Sequence, residues 1–180
     1  MKLPDGKFAV IVADPPWNWR AWSSRGEGRS ASRHYDVMSL DDIMAMPVED
    51  IAADDCALFL WATSPMLPQA LEVMDAWGFT YKTVAFMWIK VALSGRPMTG
   101  MGYWTQQNAE FVLLGTRGRP RRKSASVHSV VMERRGRHSE KPEAVQERIE
   151  ELLDGPYCEL FARRRRDGWT CWGNELEEEI

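Results

Sequence analysis

An acid, two prolines and a tryptophan stand in a row at Asp14-Pro15-Pro16-Trp17, directly after the apolar run Phe8-Ala9-Val10-Ile11-Val12-Ala13. A carboxylate beside rigid carbonyls accepts hydrogen bonds from an amino group, and an indole gives a planar base a surface to stack on. Proline cannot continue a strand ladder and fixes its own φ, so the pair stiffens the turn and sets the separation of Asp14 and Trp17. Lys90 ends a second apolar run. From Arg117 to His138 there are eight Arg or Lys against one acid, Glu133. Such a stretch suits phosphates if it is not simply a solvated loop. Trp19 and Trp22 flank a Ser-, Gly- and Arg-rich segment, Arg20 to Arg33, which lacks either periodicity and reads as a loop. An aromatic beside arginines suits single-stranded or flipped nucleic acid; the plainer reading is a pair of hydrophobic loop anchors.

The elements that must hold these residues follow from pattern. Phe8 to Ala13 reads as a buried strand, which leaves Asp14 just past its carboxyl end, where open α/β sheets bind their ligands. Ser39-Leu40-Asp41-Asp42 resembles a capping box and starts a short helix through Met46. Ala57 to Trp61 is a strand. Pro65 to Trp77 is a helix with Leu67, Leu71, Met74 and Trp77 on one face and Gly78 as its stop. Tyr81 to Lys90 is a strand, residues 94–107 a Gly-rich loop, Glu110 to Gly115 a strand, and Val127 to Met132 another. Pro142 to Leu153 is a helix with Val145, Ile149 and Leu152 inside. Cys158 to Ala162 and Thr170 to Trp172 close the sheet. Strands alternating with helices predict an α/β fold with a mostly parallel sheet and helices on both faces. That sheet sets the ends of Val12-Ala13 and Phe161-Ala162 side by side. Trp61, Trp77 and Trp88 fall on regular elements and are expected in the core; His138 is expected to be structural.

Composition bounds the class. One hundred and eighty residues, 44% hydrophobic and 27% charged, suit a single globular domain, 1–180. The net charge of -3 conceals the basic stretch and an acidic end, with four glutamates from Glu175 to Ile180. Cys56, Cys158 and Cys171 are odd in number and far apart, and His34, His128 and His138 have no metal-ligand spacing. Neither a disulfide framework nor a metal site is expected. Reduced thiols, no signal peptide and no run near the ~18 apolar residues of a membrane helix predict a cytoplasmic protein without a membrane partner.

The segment Gly6 to Trp17 resembles the opening of the catalytic domain in the DPPW family of adenine methyltransferases. That family includes the catalytic subunit of the eukaryotic mRNA N-adenosine methyltransferase and many bacterial and phage proteins. Tyr35 to Leu40, Leu58-Phe59-Leu60-Trp61, Trp88-Ile89-Lys90, Ser139-Glu140-Lys141-Pro142, Glu159 to Arg163 and Trp172 to Leu176 continue the likeness in order over nearly the whole chain. The resemblance implies a Rossmann-like methyltransferase domain, circularly permuted, with the catalytic strand first and the cofactor strand near the end. It implies transfer of a methyl group from S-adenosylmethionine to the exocyclic 6-amino group of adenine. That amine is a weak nucleophile because its lone pair is delocalised into the ring. Asp14 and the Pro15 carbonyl, accepting hydrogen bonds from its two N–H groups, favour a pyramidal nitrogen, and the rest is in-line placement, without a metal.

In residues, the resemblance implies a catalytic set Asp14, Pro15, Pro16 and Trp17, with Trp17 stacking on the base. Asp14, Lys90, Arg163, Asn174 and Glu175 face the cofactor: Lys90 its carboxylate, Arg163 its sugar, Asn174 and Glu175 its ribose. Glu175 replaces the family's Gln, and Arg165 and Arg166 stand where members often carry His and Asn. No Gly-x-Gly follows Phe161, and an arginine run, Arg163 to Arg166, stands there instead. Tyr103 and Trp104 resemble a Gly-His-Trp segment near the target base, and Arg119, Arg121 and Arg122 join them as substrate-binding residues. DNA is favoured over RNA because the chain is short, like bacterial and phage members. A non-catalytic nucleic-acid-binding subunit is the alternative from another class, and the intact Asp14 and Trp17 speak against it. A small-molecule amino methyltransferase is a third, which the basic stretch disfavours. A homodimer is implied only by analogy with family pairs.

Overall fold

β1 (Phe8–Ala13) is apolar at nearly every position because it runs through the interior of a sheet with both of its faces covered. The computed structural model describes residues 2–17, 37–100, 102, 104–134, 136 and 140–176. Trp19, Trp22, the segment Arg20 to Arg33, Tyr35, Tyr103, His138 and Ser139 lie outside the described residues.

Among the described residues the remaining strands are β2 (Ala52–Ala62), β3 (Thr80–Val91), β4 (Ala109–Arg117), β5 (Val130–Arg134), β6 (Tyr157–Leu160) and β7 (Trp169–Trp172). The α-helices are α1 (Leu40–Met44), α2 (Leu67–Ala76) and α3 (Glu143–Leu152). The sheet order is β5-β3-β4-β2-β1-β6-β7. Only β4 runs against its neighbours, antiparallel to both β2 and β3. The other pairings are parallel. This is the expected α/β architecture, a Rossmann-like sheet with helices on both faces. The expected neighbours are adjacent: Ala13 pairs with Leu160. No helix is long and apolar enough to cross a membrane among the described residues.

The two faces carry separate cores. Ile11, Ala13, Leu58, Leu60 and Leu113 meet α1 and α2 through Ile43, Ala70, Val73 and Met74. Val10, Val12, Phe59, Trp61, Phe86, Trp88 and Val112 meet α3 through Val145 and Ile149. Alternation along each strand assigns the side chains to these faces.

Local signals explain the helix ends. Ser39 caps α1, accepting from the Asp42 amide at 3.1 Å while its hydroxyl donates to the Asp42 carboxylate at 2.6 Å. The helix ends at Met44 rather than Met46. Gly78, at φ +79°, turns the chain out of α2 as expected. Trp77 is fully buried and its indole N–H donates to the Ile43 carbonyl at 2.9 Å, joining α2 to α1. Truncating a ring of that kind costs about 3–5 kcal/mol.

Four expectations on elements need correction. Leu71 is exposed, and Ala70 and Val73 take its place in the core, because the buried stripe of α2 lies one residue round the helix. β2 begins at Ala52, five residues early: Ala52 pairs with Phe8, and Asp54 and Asp55, which break the apolar pattern, fall where the register shifts before Ala57 pairs with Val10. β5 spans Val130–Arg134 rather than Val127 to Met132. β6 stops at Leu160 because Phe161 adopts φ 62°. A bulky residue seldom occupies that left-handed region. Here Phe161 supplies the sharp turn that glycine provides in a glycine fingerprint, with its ring edge-on to Trp172 at 5.7 Å.

Candidate active site

β1 delivers Asp14 to the α3 side of the sheet, because Val10 and Val12 face α3 and the two-residue period of extended chain continues. The Pro15–Pro16 turn is closed by its own backbone: the Trp17 amide donates to the Pro15 carbonyl at 2.8 Å and the Met38 amide to the Pro16 carbonyl at 3.2 Å. The Trp17 indole N–H donates to the Trp61 carbonyl at 3.1 Å, so β2 anchors the end of the turn.

Asp14 begins a chain of alternating charges. Lys141, in the segment leading into α3, places Nζ 2.6 Å from Asp14 Oδ2 and 3.3 Å from Glu110 Oε2. Glu110, at the start of β4, pairs in turn with Lys90, near the end of β3. The two ammonium groups also lie over indoles, Lys141 5.2 Å from the centre of Trp61 and Lys90 5.0 Å from that of Trp88. Cation–π attraction and the edge-to-face contact of the two rings at 6.3 Å fix where the ammoniums sit.

These groups are recessed: Asp14, Lys141 and Glu110 side chains are 20%, 18% and 13% exposed. Burial opposes the charge on Lys141, but Asp14 and Glu110 together outweigh it and hold its pKa above the ordinary lysine value. Burial likewise pushes Glu110 up, and the two lysines more than reverse the effect, leaving it below the usual carboxylate range. Lys141 and Glu110 therefore favour their charged forms, each charge holding its neighbour in place.

A cleft opens beside this chain, over the ends of β1 and β6. Asp14, Trp61, Lys141, Gln146, Glu159, Phe161 and Arg163 line it. Glu159 follows the same alternation on β6 and accepts from the Gln146 amide at 2.7 Å. Burial, reinforced by the negative charge of Asp14, raises its pKa to about 7. The donor set mixes carboxylates with cations in a small space. That combination fits S-adenosylmethionine, which joins a cationic sulfur to an amino acid carboxylate and a ribose.

The expected site residues divide into groups. Asp14, Pro15, Pro16, Arg163, Asn174 and Glu175 gather at the carboxyl ends of β1, β6 and β7, with Arg163 Nε 3.6 Å from Glu175 Oε2. Trp17 is only 9% exposed and packs in the α1–α2 core. An open stacking platform is therefore corrected to a largely buried ring that braces the Pro–Pro turn. Lys90 stands apart from this group. Three strand positions separate β3 from β1, and the lysine on the cleft is Lys141. Trp104 is 98% exposed on the β3–β4 connection.

Arg119, Arg121 and Arg122 are exposed at the opposite edge of the sheet, because β4 runs antiparallel and Arg117 pairs with Cys56 near the amino end of β2. The Arg119 amide donates to Asp55 at 2.6 Å, and Lys123 is paired with Asp154 at 2.8 Å. Seven residues of β2 separate that edge from Ala62, about 23 Å at ~3.3 Å per residue. The three arginines therefore lie on a part of the surface away from Asp14.

Lys141, Glu110 and Glu159 are site residues that sequence reasoning missed. The signal for Lys141 was present, in Ser139-Glu140-Lys141-Pro142. The arginine run also finds its roles here. Arg164 binds Glu140 and Glu143 at 2.7 and 2.8 Å and donates to the Lys141 carbonyl at 3.4 Å, which fixes the backbone that carries Lys141. Arg166 grips Glu150 of α3 through two hydrogen bonds of 2.7 and 2.9 Å, and the Trp169 indole shares that carboxylate.

Comparison with known proteins agrees with this geometry. Residues 8–175 match the MT-A70 family. The chain is 35% identical over 195 residues to the type II methyltransferase M.MunI of Mycoplasma sp, covering 98% of this chain and 81% of that protein. It is 30% identical over 179 residues to the N(6)-adenosine-methyltransferase subunit METTL3 of Danio rerio, covering 96% of this chain and 28% of that one. With the human N(6)-adenine-specific methyltransferase METTL4 it shares 29% over 189 residues, covering 94% and 37%. The chain thus spans most of the first relative and little more than a third, at most, of the two animal proteins.

Proposed function

Since the chain belongs to the MT-A70 family and is an N6-adenine methyltransferase, we propose that its substrate is adenine in DNA, methylated on the exocyclic 6-amino group by residues 1–180 acting as one catalytic domain. The observation that carries the reading is Asp14, set by the Pro–Pro turn at the mouth of the cleft with one carboxylate oxygen held by Lys141. The relative that the chain nearly spans is a type II methyltransferase, which supports DNA over RNA. The setting is the cytoplasm.

S-adenosylmethionine, when bound, supplies an electrophilic methyl group on a positively charged sulfur, and no metal is needed. Asp14 accepts a hydrogen bond from the 6-amino group through Oδ1, since Lys141 occupies Oδ2. The Pro15 carbonyl accepts the second. Lys141 fixes the rotation of that carboxylate. Glu110 holds Lys141, and Lys90 holds Glu110. Trp17 braces the turn through its hydrogen bond to the Trp61 carbonyl. Arg163, Asn174 and Glu175 hold the nucleoside end of the methyl donor, while Glu159 offers negative charge to its cationic part. Catalysis is positioning, because the amine loses its proton readily once alkylated.

The test is transfer of tritiated methyl to DNA strands, duplex DNA and RNA in parallel, with digestion of the product to identify the base. Labelled N6-methyladenine from DNA, abolished by Asp14→Ala with the fold retained, is the expected result. Labelling of RNA alone, or wild-type turnover in Asp14→Ala, overturns it.

A further inference from the structure

Trp104 is 98% exposed, against 9% or less for Trp17, Trp61, Trp77, Trp88 and Trp169. Tryptophan is highly buried on average, so a ring standing wholly in water is unusual. The connection that carries it is not slack. Residues 92–108 leave and rejoin the sheet at Lys90 and Asn108, whose backbones bond at 3.0 Å. Further out, Gly100 and Gln107 exchange both backbone hydrogen bonds, at 2.7 and 3.0 Å. Gln107 accepts from the Ser64 hydroxyl at 3.1 Å and donates to Thr105 at 3.1 Å, which ties the connection to the end of β2. Beyond the pair the backbone folds so tightly that a Cβ on Gly102 would lie 2.0 Å from the Thr105 carbonyl oxygen. The chain is thus clamped on both sides of a ring that touches almost nothing.

The position of this ring gives it a use. The connection springs from Lys90 and Glu110, the far end of the charge chain that begins at Asp14, so it stands on the same sheet edge as the reaction centre. Asp14 is recessed, and a base stacked within a double helix cannot reach it. An adenine drawn out of the stack leaves a gap that an apolar wedge can fill.

Resting on the reading of DNA adenine methylation above, we propose that Trp104 enters the double helix and stacks in the place of the extruded adenine, which makes duplex DNA the substrate. Single-turnover rates on a matched duplex, on the same duplex with the target adenine opposite an abasic site, and on the unpaired strand test it. Trp104→Ala lowers the ratio of the matched-duplex rate to the unpaired-strand rate at least tenfold. The abasic duplex, already gapped, recovers most of that loss, and so does Trp104→Phe. An unchanged ratio overturns the wedge. An equal loss on all three substrates, with a change in sedimentation, also overturns it and makes Trp104 a contact between copies of the chain. Fluorescence of 2-aminopurine at the target position reports extrusion without any methyl transfer. A rise on binding wild type that is absent with Trp104→Ala supports the wedge even if no DNA is methylated, the outcome in which only the reading of function fails.

Discussion

Lys141→Met removes the one cation that, among the described residues, touches both Asp14 and Glu110. The contacts are 2.6 and 3.3 Å. At an effective dielectric constant of about 20 they represent roughly 6 and 5 kcal/mol of gross attraction. Most of that is offset by the desolvation of three charges, and breaking a buried pair by removing one partner costs about 3–5 kcal/mol. In the variant the two carboxylates face each other with only Lys90, paired to Glu110, as counter-charge, and proton uptake relieves the repulsion. Lys141 is one of the two lysines that hold Glu110 below the usual carboxylate range, so its loss raises that pKa. The sign is fixed: losing a cation raises a carboxylate pKa, so the acid limb of kcat/KM moves up towards neutrality. We expect activity at pH 7 to fall at least a hundredfold and to recover partly towards pH 9, while Lys141→Arg keeps the limb near its wild-type position. The pH–rate profile is measured alongside the melting temperature and cofactor affinity. A folded Lys141→Met enzyme with the wild-type profile refutes the argument.

Glu159 carries a second pH signature. Its carboxyl titrates near 4.5 unfolded and near 7 in the fold, so the native state resists ionisation and loses stability as the pH rises from about 4.5 through 7. Glu159→Gln is expected to be more stable than wild type by about 3 kcal/mol above pH 8, with the difference vanishing near pH 4; parallel melting curves across that range refute it. Replacing Arg119, Arg121 and Arg122 by Ser tests the far edge of the sheet. If they neutralise phosphates of a long duplex, the log–log salt slope of binding falls by about 0.9 for each phosphate left without its arginine, with cofactor affinity unchanged. Parallel slopes identify a solvated loop.

The Pro–Pro turn was legible because its residues are contiguous and follow a run that can only be a buried strand. The order of helices and strands was legible for a similar reason, since apolar periodicity changes from one element to the next. The partnerships at the site were not. Lys141 lies 127 positions from Asp14 and meets it only because the segment before α3 crosses the end of β1. Glu110 reaches the same point because β4 runs backwards, and the direction of a strand leaves no mark in its composition. That direction also explains the basic stretch: the charge is plain in the sequence, but the edge to which it is carried is not. Trp17 shows the limit of reading a side chain by type. An indole suits stacking and suits a core equally well, and the hydrogen bond to Trp61 decides for the core. Phe161 shows the converse, a backbone role filled by a residue whose type conceals it.

The reversed strand has an evolutionary consequence. Because β3 and β4 are antiparallel neighbours, residues 92–108 begin and end one hydrogen bond apart. A segment attached in this way can be exchanged for a longer or shorter one while the flanking strands stay in register, and doubling its length costs only about 0.6 kcal/mol of closure entropy. The cleft over the ends of β1 and β6 lies on the other side of β2 and is linked to this segment through the Lys90–Glu110–Lys141 chain. Such an attachment gives protein engineers a defined place to cut and splice while both flanking strands keep their pairing.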